Sequence, residues 1–589
     1  MACAAAWPTI SGLRGGMADD LGSTRRHGRR SRVCAAAWPT ISGLRGGMAD
    51  DLGSGESGVA SKGSRCNMDY PTFDEIQQLR EAVTQSGGKK RPLLPLFRDL
   101  LADMETPVSA YCKTARGPYS FLLESVEGGE RIARYSFIGI DPYMVMTHRG
   151  EKAIVQYIRP GSDRTEEVAC HDPLQLIEAE LGQYQLVAPA RPAHDALPRF
   201  HGGAVGYLSY ETVARFESLP VPEHDELGLP LAVFCFSETI LVFDHLKHRV
   251  RVVTHLHLDA PDLAAEYRRG LAILNDVQQR LQQPVRLPRE PEPVADENAL
   301  KVVSNRTRTE FETMVRRAID YIRAGDIFQV VPSQRLSRHV NAAPFTVYRA
   351  LRAINPSPYM FYLDLGDFHI VGASPELLVR VEDDEMTIHP IAGTRPRGAD
   401  PESDLRLEEE LRNDIKERAE HIMLLDLARN DVGRVCQPGS VQVGQFMEIE
   451  RYSHVMHLVS NVTGRLRRDV TPYDALRSGF PAGTVSGAPK IRAMEIISEL
   501  EQTQRGVYAG AVGYFSHSGN LDTAIALRTM VIRAGRAYIQ AGGGVVADSD
   551  PGAEYQESLN KARALLRALD EAEILATEQR GERNVIIDR

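Results

Sequence analysis

A two-lobed α+β fold built on largely antiparallel sheets follows from three features of the 589-residue sequence. Short apolar runs of strand character follow one another through tight polar turns, the pattern of consecutive antiparallel strands. Stretches with helical apolar spacing fall between these groups of strands. A proline-rich, charged stretch at 282–299, QQPVRLPREPEPVADENA, divides an upstream region, 69–283, from a downstream region, 300–575.

Residues 1–67 stand apart. The segment CAAAWPTISGLRGGMADDLGS at 3–23 recurs unchanged at 34–54, carries both tryptophans (Trp7 and Trp38) and has no amphipathic period. It reads as a disordered, dispensable leader, with Met68 an alternative start ahead of the helical opening DYPTFDEIQQLREAV. The basic cluster between the copies is followed by no apolar run of signal-peptide length.

Downstream, Thr309 and Glu312 form a capping-box pattern, and Phe311, Met314, Val315, Ala318, Ile319 and Ile322 follow at helical spacing until Gly325. Strands are predicted at 327–332, 360–365, 368–372, 377–382 and 385–391, the last two joined through Asp383 and Asp384. ERAEHIMLLDLARND predicts a helix, and strands are predicted again at 510–516, 524–533 and 537–546. GAVGY occurs twice, at 203–207 and 510–514, a hint of related sheets too short to separate from chance.

With 43% hydrophobic and 25% charged residues the composition is that of a soluble globular chain. A net charge of -10 without a long basic stripe argues against nucleic acid as the main partner. The longest apolar runs, such as LAVFCF at 231–236, fall far short of the ~20 residues that span a bilayer. Seven scattered cysteines lack C-x-x-C spacing and read as reduced thiols of a cytoplasmic protein.

Two acidic motifs point to chemistry. ERAEH (417–421) and EYQE (554–557) each place two glutamates three residues apart, on one helix face. One such pair alone reads as a solvated face. Two pairs flanking IAGTRPRG (391–398), GTVSGAPK (483–490), Arg528 and AGGG (541–544) read as a metal-assisted site for a small, multiply charged anion.

The ordered motifs LLESVEGGERIARYSFIG, NPSPYMFYLDL, GASPELLVR, PIAGTRPRG, AEHIMLLDLARND, RYSHVMHLVS, GTVSGAPK, LDTAIALRT and QAGGGVV resemble the chorismate-utilising enzymes, in particular the large subunits of anthranilate synthases, from about residue 107 to 567. The resemblance implies antiparallel sheets packed as a sandwich with flanking helices. It implies that Glu420 and Glu557, with Glu554, ligate Mg²⁺, and that Glu417, His457 and Thr484 serve the chemical step. Gly393, Thr394, Tyr508, Arg528, Gly542, Gly543, Gly544 and Lys561 are the implied substrate contacts. Glu124, Ser125, Pro358, Tyr359 and Met360, with Val126 beside them, match the segments of a tryptophan effector pocket. Relatives that make aminodeoxychorismate carry a lysine where this chain has Ala392, and isochorismate synthases a lysine general base where it has Gln329, so ammonia is the expected nucleophile. No G-x-C-x-G elbow surrounds any cysteine, which implies a separate glutamine amidotransferase subunit and a hetero-oligomer. An aminodeoxychorismate synthase component and a catalytically silent tryptophan-binding subunit are the competing readings.

Overall fold

The computed structural model describes residues 69–581, apart from 127–133, 159–162, 189–196, 295, 297 and 453–454. The expectations for the leader and for Met68 lie outside the described residues.

Two large sheets, antiparallel except where Tyr184–Leu186 runs parallel to Arg91–Leu101, stack face to face, with helices on both outer faces. Strand alternation explains the layering, because successive side chains point to opposite faces. Phe361 and Leu363 enter the core between the sheets, beside Phe121, Phe137, Tyr207 and Tyr514, whereas Met360 and Tyr362 of the same strand face the helices. Sequence-distant helices cover the first sheet, among them Leu263–Leu281, Pro344–Ile354 and Pro551–Arg580. None of the helices among the described residues is long and apolar enough to cross a membrane.

Strands from both sides of the proline-rich stretch share each sheet, in mirrored order. At the centre of the first sheet Ser120–Glu124 pairs with Tyr359–Asp364. Moving outward, Tyr135–Gly139, Ile240–Asp244, Arg249–His257 and Arg91–Leu101 lie on one side. Phe368–Ser374, Thr529–Arg533, Arg536–Gly542 and Ser333–His339 lie on the other. At the centre of the second sheet the two GAVGY strands pair with each other, Gly206 opposite Gly513. A methyl group at either glycine would lie about 2 Å from a neighbouring strand's carbonyl, 1.9 Å from Val233 O or 2.1 Å from Asp522 O. The echo in the sequence therefore marks two equivalent positions in a duplicated architecture.

One segment breaks the symmetry. The first half runs from Lys152–Tyr157 almost directly into Arg164–Ala169, whereas the second half inserts residues 389–461 between Glu385–Ile388 and Val462–Arg465. The insertion carries the helix Ile415–Val435 and a three-stranded sheet containing Ile391–Pro396 and Val455–Val459.

Several boundaries differ from the sequence reading. The first downstream helix is capped by Thr307 with Glu310, not by Thr309 with Glu312, since both pairs satisfy the same spacing and the earlier one adds half a turn. The strand expected at 327–332 shrinks to Gln329–Val330. The run 524–533 is two strands in different sheets, Leu521–Ile525 and Thr529–Arg533, because the chain crosses over at Arg528, whose φ is +46°. Likewise 385–391 divides where the insertion leaves the sheet.

Two further equivalent glycines test the packing. Phe121 lies over Gly139 and Phe361 over Gly372 on the partner strand, and a methyl group at either glycine would fall within 2.1 Å of the ring. Gly139→Ala is expected to destabilise the protein by about 1–3 kcal/mol through overpacking. Denaturant unfolding would read this as a lower midpoint, and an unchanged midpoint would contradict the packing described.

Candidate active site

The second half of the chain and its insertion build one site. Strand Arg536–Gly542 ends beside Ser333, and the following chain forms a two-way bridge between Val545 and Val330. Gln329 in turn pairs with Ala488, so the glycine run 542–544, the IFQVVP segment and the GTVSGAPK turn meet. A buried arginine fixes the junction. Arg505 donates to Val331 O at 2.6 Å and Val485 O at 2.8 Å, and its charge is matched by Glu501 at 2.6 Å.

The carboxylates close over the glycines. Asp550 caps the helix Pro551–Arg580 by accepting the Ala553 N–H at 2.8 Å, which places Glu554 in the first turn and Glu557 one turn on. A methyl group at Gly543 would lie 2.7 Å from Glu554 Oε2 and 3.5 Å from Glu557 Oε1; one at Gly544 would lie 3.6 Å from Glu420 Oε1. The carboxylates thus lie directly over the glycine backbone. Asp414 caps the opposing helix, accepting the Lys416 and Glu417 N–H groups, and Arg395 grips both Asp414 at 2.7 Å and Glu417 at 3.1 Å. Glu417 Oε2 would lie 3.2 Å from a methyl group at Gly393.

These carboxylates carry more negative charge than the protein neutralises. Burial, then the charge of Glu417, pushes the Glu420 carboxyl above its ordinary range, against a 3.3 Å hydrogen bond from Gln329. Burial also raises Glu554, whose Oε1 accepts from Ser549 at 2.7 Å while its Oε2 is buried without a partner among the described residues. Lys561 reaches the rim, 2.9 Å from Glu557 Oε1 and 3.0 Å from Gly542 O. An orphaned buried carboxylate oxygen among acidic neighbours is what a hard cation would satisfy. Among the described residues no three His, Cys, Asp or Glu side chains are gathered closely enough to hold a metal ion by themselves.

His457 lies on Val455–Val459 opposite Thr394, where the paired strand bulges at Gly393, φ +65°. Its Nδ1 is 3.0 Å from Gly393 O and 3.0 Å from Thr394 Oγ1. A carbonyl only accepts, so Nδ1 carries the proton and Nε2 the lone pair. Burial, with help from the Arg528 charge, holds the imidazole below its ordinary pKa and keeps it neutral. Tyr508 is buried, and its hydroxyl is pushed up to about 12, so it remains a donor.

One acid went unsingled in the sequence. Glu376, inside the GASPELLVR motif, is 5% exposed and accepts from Thr484 Oγ1 at 2.7 Å. Burial pushes its carboxyl up to about 8, with Lys561 close enough to pull it down. A lone glutamate between an apolar strand and a serine-proline turn gave no periodicity to read; only its charge ahead of Leu377 and Leu378 hinted at it.

The five effector-segment residues come together elsewhere. Glu124, Ser125, Pro358, Tyr359 and Met360 line one cavity of about 50 Å³ between the sheets, room for a few water molecules. Arg380 forms its polar floor, donating to Tyr359 Oη and Asp522 at 2.9 Å each. Ser125 Oγ is buried without a partner among the described residues. Glu124 is held from behind by Arg352, at 2.9 Å, and by Tyr348. Val126 instead packs toward the helices outside the first sheet.

Comparison with known proteins bears on this geometry. A model of the chorismate binding enzyme family matches residues 119–567. Anthranilate synthase component 1 of Acetivibrio thermocellus is 46% identical over 509 residues, 86% of this chain and 99% of its own length. The Pseudomonas aeruginosa protein of the same name is 49% identical, covering 82% and 96%. The crystal structure of anthranilate synthase component I from Streptococcus pneumoniae superposes with a TM-score of 0.64 at 38% identity, covering 80% of this chain and 99% of that one. The menaquinone-specific isochorismate synthase of Escherichia coli shares the fold, with a TM-score of 0.59 at 18% identity, covering 84% and 99%. With the match spanning both sheets, the insertion and every carboxylate described above, the chain belongs to the chorismate binding enzyme family.

Proposed function

We propose that this chain is the chorismate-converting component of an anthranilate synthase, a lyase that forms anthranilate and pyruvate from chorismate and ammonia at the start of tryptophan biosynthesis. The observation that carries the reading is four carboxylates, Glu417, Glu420, Glu554 and Glu557, facing Gly393, Gly543 and Gly544, with the neutral His457 bonded to Gly393 O.

Glu420, Glu554 and Glu557 would hold Mg²⁺, with Glu417 beside them. Bound there, the ion would supply positive charge to a substrate carboxylate and to the departing oxygen. Arg528 and the Tyr508 hydroxyl suit the other carboxylate, and the amides of 542–544 allow its close approach. Glu376 holds its proton at neutral pH and gives it to the leaving ring hydroxyl, which departs as water when ammonia adds to the ring. His457, neutral at Nε2, takes the ring proton as the enolpyruvyl group leaves; that group is protonated to pyruvate and the ring becomes aromatic.

Ala392 leaves no amine to attack the ring. Gln329 has no basic atom with which to activate water, which favours ammonia over water as nucleophile. The described cysteines supply no glutaminase thiolate: burial raises Cys112, Cys235, Cys170 (to about 11) and Cys436 (to about 11). Ammonia would come from a glutamine amidotransferase partner in a cytoplasmic complex, with free ammonium as substitute. A tryptophan feedback effector would bind beside Ser125 and Pro358, widening a cavity that has room for a few water molecules.

Three outcomes follow. Glu376→Gln should lower kcat about 10²–10⁴-fold, the range of general acid catalysis, in an anthranilate fluorescence assay; loss of less than tenfold would remove Glu376 from the chemistry. The pH profile of kcat should be bell-shaped. Activity is lost on the acid side as His457 protonates below its ordinary range, and on the alkaline side as Glu376 ionises near pH 8; a flat profile from pH 7 to 9 would contradict the acid role. Ser125→Arg should fill the second cavity and abolish inhibition by tryptophan with kcat unchanged, and intact inhibition would place the effector elsewhere.

A further inference from the structure

We propose that Glu211, contributed by the first half of the chain, is the positioning residue for Tyr508. Glu211 lies on the 3-10 turn Tyr210–Arg215 and is 5% exposed. A buried carboxylate is costly unless its lone pairs are filled. This one is filled by backbone: Oε1 accepts the Arg505 N–H at 2.6 Å and Oε2 the Gly506 N–H at 3.0 Å. The grip is reciprocal, because the Tyr210 N–H donates to Gly506 O at 2.8 Å.

The gripped residues are the approach to Tyr508. Gly506 turns with φ +67°, and Ala509 beyond the tyrosine has φ +64°. On the far side the backbone is tied by Ala509 N–H to Ala526 O at 3.1 Å and Gly510 N–H to Val507 O at 3.1 Å. On the near side both amides of 505–506 are held by Glu211. The Arg505 side chain, bound to Glu501, Val331 and Val485, stacks between the rings of Tyr210 and Tyr508, at 4.7 and 5.4 Å from their centroids. Glu211 thus fixes the amides, Arg505 the ring, and the Tyr508 hydroxyl is aimed from two anchored ends. No substrate need touch Glu211 for its loss to be felt.

The inference rests on Tyr508 being a substrate contact, and the experiment separates the two claims. Steady-state kinetics of the full chain with chorismate, ammonium and Mg²⁺ would compare Glu211→Gln, Glu211→Asp, Tyr508→Phe and the double variant E211Q/Y508F. A glutamine accepts one amide but turns its own NH₂ toward the other. KM for chorismate should rise about tenfold in Glu211→Gln and about threefold in Glu211→Asp, a graded loss with kcat within about threefold. Tyr508→Phe should raise KM as well, and the double variant should be no worse than Tyr508→Phe alone, because both changes act through one hydroxyl. An unchanged KM in either Glu211 variant while Tyr508→Phe raises it, or losses that multiply in the double variant, would overturn the positioning role. An unchanged KM in Tyr508→Phe would remove the substrate contact and the proposal with it.

Discussion

The catalytic half is organised around one buried charge. Arg505 is 2% exposed, and its guanidinium is balanced by Glu501 and bonded to the carbonyls of Val331 and Val485. A buried ion pair contributes little net stability, but removing one partner costs about 3–5 kcal/mol because the other charge is stranded. What the pair supplies is geometry. It holds the IFQVVP segment against the GTVSGAPK turn, and Ser333, beside the glycine run, donates to the same Glu501 through both N–H and hydroxyl at 2.8 Å. Gln329, Thr484, Tyr508 and the amides of 542–544 are placed relative to one another through this node.

Duplication explains why the protein has related halves and one catalytic site. Each half contributes equivalent strands to both sheets, so the core between the sheets is shared by the two halves. The insertion at 389–461, which supplies Gly393, Thr394, Glu417, Glu420 and His457, belongs to the second half alone. The other cavity lies where the halves join. Glu124 pairs with Met360 across the centre of the first sheet, and Val512 to Tyr514, on a central strand of the second, form the facing wall. Tyr508 sits four residues ahead of Val512 in the same stretch of chain.

Local signals were legible in the sequence and long-range ones were not. The glutamate pairs declared themselves through i, i+3 spacing, and both sit in helices capped by an aspartate just before them. Most downstream strands were readable from apolar alternation. The break at Arg528 was not, since a strand that changes sheet keeps an unbroken apolar pattern. GAVGY could not be told from chance until the two copies were found side by side. Glu376 and Glu211 were invisible for a common reason: a single buried acid has no period, and its meaning comes from partners 108 and about 295 residues away in the chain. The choice of Thr307 over Thr309 as a cap was underdetermined, because two overlapping capping boxes are equally good locally.

Product identity tests the central claim most directly. The purified chain, given chorismate, Mg²⁺ and ammonium without glutamine or a partner, should form anthranilate and pyruvate in equal amounts, resolved by chromatography and mass, and should stop when the metal is chelated. Accumulation of isochorismate or of an aminodeoxychorismate as the end product would contradict the reading of Gln329 and Ala392, and untouched chorismate would contradict the assignment of the site.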